Sequence, residues 1–142
     1  MNLELVTLDG VKFKAEAYSV ILPTADGEIT VLPGHEPLLA QLVPGVITIR
    51  RSKSEADYHL EHFATYGGVL EISHAGVRIL VDEATHGDDI SLEEAKRAHE
   101  KAQQMRKEAK TQVELDRAET MLTRQGVRLE VAELRRRTHR KQ

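Results

Sequence analysis

The chain has 142 residues, 40% hydrophobic and 30% charged, with no cysteine, no tryptophan and a formal net charge of −3. A disulfide framework and a thiolate metal site are thereby excluded, and no apolar run approaches the roughly 20 residues of a membrane-spanning helix. The small net charge hides a break: residues 1–90 hold six Lys/Arg against fourteen Asp/Glu, and residues 91–142 hold fourteen against nine. An acidic part of net −8 therefore precedes a basic part of net +5, and all prolines, phenylalanines and tyrosines fall in the first. Two modules are expected, residues 1–87 and 88–142. Nothing near Met1 resembles a targeting peptide, because the first residues already read as a strand.

Residues 3 to 7 alternate in polarity, and Asp9-Gly10 is a hairpin turn into the alternating Val11-Lys12-Phe13-Lys14-Ala15. Val20-Ile21-Leu22 is wholly apolar, which predicts a strand buried on both faces. The stretch Pro23 to Gly45 follows, with all four prolines and three of the nine glycines. Within it Glu28 to Val31 alternates between an Asp26-Gly27 turn and a Pro33-Gly34 turn. An apolar run, Leu38, Leu39 and Leu42, is closed by Pro44-Gly45. Adjacent side chains on an extended segment point opposite ways, so one of Leu38 and Leu39 is expected in the core.

Val46 to Ile49 is another strand, Arg51 to Asp57 a polar loop, and Tyr58 to Thr65 alternates loosely. Gly67-Gly68 marks a bulge or a close backbone approach. Val69 to Ile72 and Val77 to Val81 are strands joined by Ser73-His74-Ala75-Gly76. Nine or ten short strands with no helical pattern between them predict an antiparallel β-sandwich or flattened barrel. With only two phenylalanines available, its core must be Val, Ile and Leu.

The periodicity then changes. Ser91-Leu92-Glu93-Glu94 is a capping box, followed by small apolar residues at Ala95, Ala98, Ala102, Met105 and Ala109. A second box, Thr111-Gln112-Val113-Glu114, opens a helix carrying Leu115, Ala118, Leu122, Leu129 and Leu134. Two capped helices with so short a joint predict an antiparallel hairpin; one continuous helix is the alternative, since neither Gly nor Pro sits at the joint. A mostly alanine stripe buries little, at about 0.8 kcal/mol per methyl, and Gly126 weakens its helix by about 1 kcal/mol. The expected fold class is α+β in two segregated modules.

No phosphate loop, G-x-G-x-x-G or H-E-x-x-H occurs. The seven histidines are scattered, and His59 and His62 fall on opposite faces of a strand, so they read as solvated or hydrogen-bonded side chains and not as metal ligands. Asp88-Asp89 and Glu93-Glu94 read as charge at a helix amino end. The chain reads as non-catalytic, with no metal. Leu134 to Gln142 carry Arg135, Arg136, Arg137, Arg140 and Lys141 without an acid. Neither stacking aromatics nor a reading motif accompanies them, so nucleic acid is not an expected partner. Arg124, Arg128 and Arg135, at spacings of four and seven, share one helix face.

The run PTADGEITVLPGHEPLLAQLVPGVITI resembles the amino-terminal domain of the epsilon subunit of the F-type ATP synthase, which carries P-T-x-x-G-E-x-x-x-L-P-G-H-x-P-L-L. Gly67 to Ile72 and Val77 to Ala84 match as well, as does a charged helical tail of the right length. The resemblance implies a central-stalk subunit of the rotary motor whose sandwich joins the gamma subunit to the membrane c-ring. Asp26, Gly27 and Glu28 would face the c-ring; His35, Leu38, Leu39 and Ala40 would face gamma. The helical module would regulate, reaching the alpha/beta catalytic head with Arg124, Arg128 and Arg135 and blocking ATP hydrolysis. Membrane contact would run through the complex, at the cytoplasmic face of a bacterial inner membrane or the stromal face of a thylakoid.

Relatives that bind ATP carry [IL]-D-x-x-R-A at the start of the first helix. Here Ile90-Ser91-Leu92-Glu93-Glu94-Ala95 lacks the Asp and has Glu in place of Arg. Sliding by three residues offers Glu94, Arg97 and Ala98 instead, with Arg106 as another donor. A carboxylate where a guanidinium should hold phosphate weighs against ATP as a regulatory ligand, and no cofactor is expected. The alternative function is a free-standing nucleotide-sensing module.

Overall fold

The computed structural model describes residues 1–140. Eight strands precede two helices: β1 (Asn2–Thr7), β2 (Gly10–Glu16), β3 (Ser19–Thr24), β4 (Gly27–Val31), β5 (Leu38–Arg50), β6 (Glu61–Ser73), β7 (Gly76–Val81), β8 (Ala84–His86), α1 (Leu92–Glu108) and α2 (Gln112–Arg140). The strand order is β2-β1-β7-β6-β5-β3-β4, with β8 continuing along the β7 side of β6. Every pairing is antiparallel except β1 with β7, which is parallel, so the all-antiparallel expectation is corrected at one ladder. The sheet folds over itself as a sandwich with β2 and β4 at its two ends.

The strand count is eight, below the nine or ten expected, because β5 and β6 each run through a breaker signal. Leu38 to Arg50 is one strand through Pro44-Gly45, and Glu61 to Ser73 is one strand through Gly67-Gly68. Pro44 is tolerated because the β3 ladder on that side of β5 shifts register between Ile21 and Thr24, where a missing N–H costs little. Pro44 pairs with Tyr66 and Leu42 with Gly68, so the breakers lie within two residues of one another across the ladder and the two strands bend together. Gly68 is required by close approach: a Cβ there would stand 2.2 Å from the Leu80 carbonyl oxygen, at φ +157°. Gly45 packs against Pro23, whose ring would lie 2.8 Å from an added Cβ.

Crossing the bend reverses which residues face the sandwich interior. Leu42 and Leu70 are buried on one side of it, Ile47, Ile49 and Phe63 on the other. With Leu3, Leu5, Val20, Leu22, Val31, Ile72, Val77 and Ile79 they form the aliphatic core expected. Ile21 is only half-buried, so β3 is apolar on both faces but enclosed on one.

The other face of the β5–β6 ribbon beyond the bend carries Val46, Ala64 and Tyr66, which meet Ile90, Ala95, Val127, Val131 and Ala132 in a second core. Residues 62 to 65 are therefore all buried, the odd ones against the sandwich and the even ones toward the helices. The helices form the hairpin. Ser91 Oγ accepts from Glu94 N, Thr111 Oγ1 accepts from Glu114 N at 3.1 Å, and Glu114 Oε2 accepts from Lys110 N at 2.8 Å. Caps at both helix starts, together with burial of Ala102 and Ala118, outweigh the missing Gly or Pro at the joint. The residues of α2 that enter the second core are Val127, Val131 and Ala132, with Leu129 packed against it. Leu122, Leu129 and Leu134, expected from the sequence, are half-buried.

Two glycines should respond in opposite ways. Gly68→Ala is expected to lower the urea-unfolding stability of the full chain by about 2–4 kcal/mol, because backbone blocks the new methyl. Gly126→Ala, whose Cβ would only touch His99 at 3.9 Å, is expected to raise it by about 1 kcal/mol.

Candidate interaction site

Three surfaces carry the residues singled out by the sequence. The first is the β3–β4 turn, where Asp26, Gly27 and Glu28 are all exposed. Thr24 Oγ1 donates to the Gly27 carbonyl at 2.5 Å and accepts from Asp26 N at 3.3 Å, and Gly27 sits at φ +121°. A threonine bonded across a glycine turn holds two carboxylates on a stiff tip.

The second surface begins at the Leu32–His35 turn, closed by His35 N donating to the Leu32 carbonyl, with His35 Nδ1 donating to the Glu36 carbonyl at 2.7 Å. His35 is exposed and Ala40 half-buried. Leu38 and Leu39 are 37% and 73% exposed, so neither is a core residue, against the expectation that one would be. The reason lies in the ladders. The β3 pairing ends at Thr24 with Leu42, followed only by Ala25 N donating to the Gln41 carbonyl, so residues 38–40 have a paired neighbour only in β6.

Leu39 belongs to an outward face that the sequence reading did not assemble. Register places Gln41 beside Val69, Val69 beside Leu80, Leu80 beside Val6 and Val6 beside Val11, a nearly continuous apolar row across five strands. Val69, Leu80 and Val11 are 41%, 38% and 54% exposed. The adjoining row runs Leu39, Glu71, Arg78, Glu4, Lys14, alternating in sign after the leucine. Opposite charges directly across neighbouring strands stabilise the sheet and leave the row without net charge. The signal was present in Val77-Arg78-Ile79-Leu80-Val81: Arg78 marks the outward parity, which makes Leu80 an outward leucine.

The third surface is the seam between α2 and the sandwich. Arg124 grips Glu83 with both terminal nitrogens, at 2.6 and 2.9 Å, and its guanidinium lies 4.4 Å from the centre of the Tyr66 ring. Arg128 donates to Thr85 Oγ1 at 3.4 Å, and Arg135 Nε lies 2.8 Å from Asp88 Oδ1. The structure thus brings the three arginines to one helix face, as their spacing predicted, and turns that face onto the strip Glu83, Thr85, Asp88. Hydrogen bonding from Arg124 holds the Glu83 carboxyl below the usual carboxylate range, and Glu83 in turn raises Arg124. Lys141, and the side chain of Arg140, counted above in the basic tail, lie outside the described residues.

Glu94 and Ala98 line a cleft between the helices with Ser91, Arg124, Gln125 and Arg128; Arg97 is exposed and does not line it. Among the described residues no group of three or more His, Cys, Asp or Glu is placed to hold a metal ion, and no helix is long and apolar enough to cross a membrane.

Residues 1–87 match the family model described as ATP synthase, Delta/Epsilon chain, beta-sandwich domain. The chain is 39% identical over 132 residues to the ATP synthase epsilon chain of Moorella thermoacetica, covering 93% of this chain and 96% of that one. It is 36% identical over 136 residues to the epsilon chain of Herpetosiphon aurantiacus, covering 96% of each. Among solved structures it is similar to a chain of the Euglena gracilis mitochondrial ATP synthase, seen with OSCP, F1 and c-ring. That match has a TM-score of 0.79 and 26% identity, and covers 92% of this chain and 79% of that one. A chain of the Tetrahymena thermophila central stalk and c-ring shares the fold, with a TM-score of 0.59, 15% identity and 93% and 96% coverage. A sandwich with an outward apolar row, carrying a helical hairpin docked by arginines and matched along nearly its whole length by these relatives, belongs to the ATP synthase epsilon-chain family.

Proposed function

We propose that this chain is a non-catalytic rotor subunit of the ATP synthase central stalk, in which residues 1–87 connect the gamma subunit to the c-ring and residues 88–142 regulate hydrolysis. The observation that carries the connector role is the outward row Val69, Leu80, Val6 and Val11 beside Leu39. An apolar strip of this extent on a small domain belongs against a protein partner. Gamma is the partner for that face, with exposed His35 nearby on the turn before β5; Leu38 and Ala40 have the opposite parity on β5, where Ala40 packs against the core. The Asp26-Gly27-Glu28 tip suits polar loops of the c-ring. Torque transfer needs stiffness, and a close-packed aliphatic core with two long paired strands resists deformation. On this reading the chain is peripheral to the membrane, at the cytoplasmic face of a bacterial inner membrane or the stromal face of a thylakoid.

The regulatory role is supported by how lightly α2 is held. Its seam combines a few Val and Ala side chains with half-exposed ion pairs, and exposed pairs contribute only about 0–1 kcal/mol each. When α2 leaves the sandwich, Arg124, Arg128 and Arg135 are freed together. A 29-residue helix is about 43 Å long, enough to carry those charges to an acidic surface of the catalytic head. The docked hairpin needs no nucleotide on this reading, because Glu83 already neutralises Arg124 and Glu94 places a carboxylate in the cleft between the helices.

In the assembled enzyme, Leu80→Glu should weaken retention of the chain on gamma by tenfold or more in co-purification. Removing residues 91–142 should leave assembly intact and raise ATP hydrolysis severalfold; unchanged hydrolysis would sink the regulatory half. Within the full chain, Glu83→Gln should loosen α2 by about 1 kcal/mol. Arg124→Ala should loosen it by about 1–2 kcal/mol, because the contact with Tyr66 is lost as well. Amide hydrogen exchange along α2 reads both.

A further inference from the structure

His62 stands on the helix-facing side of β6, two residues before Ala64 and four before Tyr66, both of which belong to the second core. It is 6% exposed. Its Nδ1 lies 3.0 Å from Thr48 Oγ1, across the β5–β6 ladder, and its Nε2 is buried with no hydrogen-bond partner among the described residues. His62 lines a partly open pocket of about 240 Å³ together with Arg135 and Thr138 of α2 and with Tyr58, His59, Gly87 and Asp88. A histidine at this place was read from the sequence only as a solvated or hydrogen-bonded side chain, and it is the imidazole that α2 covers.

The charged groups around it are already matched with one another. On β6 itself, Glu61 pairs with Arg51 at 2.7 Å and meets His86 Nε2 at 3.4 Å. On the turn after β8, Asp88 pairs with Arg135 of α2, and its N–H donates to His86 Nδ1 at 3.0 Å. On the turn before β6, Asp57 pairs with Arg50 of β5 at 2.8 Å, beside Tyr58 and His59. A second proton on His62 would therefore place a cation in a covered site near Arg135 and His86, with the neighbouring carboxylates engaged elsewhere. Covering an ion without a dedicated counter-ion is costly, and the simplest relief is to uncover it.

We propose that His62 is a proton-operated release for α2: the neutral imidazole lets the helix lie on the sandwich, and the imidazolium drives it off. The proposal rests on α2 being the releasable arm described above and names the condition that releases it. Burial, and secondarily the electrostatic influence of the neighbouring His86, hold the His62 imidazole below its ordinary 6.5. The docked state then binds the proton more weakly than the undocked state. Docking is at full strength above pH 6.5 and weakens as pH falls from there through the docked value. The Glu83–Arg124 pair behaves differently. Glu83 is shifted below 4.5, so its contribution is complete above 4.5 and lost only in stronger acid.

The test uses the full chain, with hydrogen exchange of α2 amides followed from pH 7.5 to 5.5 after correction for intrinsic exchange, and the His62 imidazole titrated directly by NMR. The opening equilibrium of α2 should rise on the order of threefold or more across that range, while core amides of β1 and β7 stay protected. His62→Phe should abolish the rise and Glu83→Gln should keep it; His62→Gln serves if the phenylalanine variant misfolds. The proposal is overturned by a flat wild-type profile, or by a His62 titration at or above 6.5. It is overturned equally by a slope that survives His62→Phe and disappears in His86→Gln. None of these readouts depends on hydrolysis by the assembled enzyme, so failure here is separable from failure of the regulatory reading.

Discussion

The paired bend of β5 and β6 is the constraint from which the rest follows. Pro44-Gly45 on one strand and Gly67-Gly68 on the other lie side by side across the ladder, Pro44 facing Tyr66 and Gly68 facing Leu42, and the mutual ladder keeps its register through them. The bend folds the sheet onto Leu42, Ile47, Leu70 and Phe63, which gives the sandwich its core. It also reverses the facing of the residues beyond it, so Val46, Ala64 and His62 are presented on the opposite side, where α2 lies. One piece of backbone geometry thus makes both the rigid body and the seat of the arm. Strain concentrated there would be felt in both.

The two cores are unequal in kind. The sandwich is held by leucine, isoleucine and valine from six strands, each worth about 1.5–3 kcal/mol when fully buried. The seam under α2 relies on Val127, Val131 and alanines, supplemented by ion pairs half open to water. The arm is therefore the low-stability unit of the molecule, and α1 lower still, since it packs on α2 and hardly on the sheet. On the proposed reading, a rotor connector that must not yield and a regulator that must let go are built from the same chain by giving one of them far less to bury.

What the sequence made legible, and what it hid, follow the same division. Alternation and turn chemistry located the strands, and capping boxes at Ser91 and Thr111 located both helix starts, because those signals act within a few residues. The strand count was too high because Pro44-Gly45 and Gly67-Gly68 look like terminators when read singly; only their closeness across a ladder turns them into a bend. Leu38 and Leu39 misled because their exposure is decided by where β3 ends, not by their own neighbours. Likewise Arg124, Arg128 and Arg135 were placed correctly on one face, yet their contact with Glu83, Thr85 and Asp88 spans some 40 residues of chain and carries no local mark. His62 was unreadable for the same reason: nothing near it says that a helix 70 residues later will cover it.

The charge asymmetry acquires a physical meaning from this arrangement. An acidic sandwich and a basic arm on one chain attract each other, so the docked form is the default wherever no stronger acidic surface is within reach. For the arm to leave as proposed, that attraction cannot be large; moving a two-state element from mostly closed to mostly open needs roughly 5.5 kcal/mol of differential interaction. Ion pairs at the seam suit this requirement, because the same three guanidiniums that stabilise the closed form stabilise any open form in which carboxylates receive them, so most of the electrostatic free energy is exchanged and not lost. Valines and alanines cannot be exchanged in that way, and their scarcity at the seam is what keeps the difference between the two forms within reach of a proton or a partner.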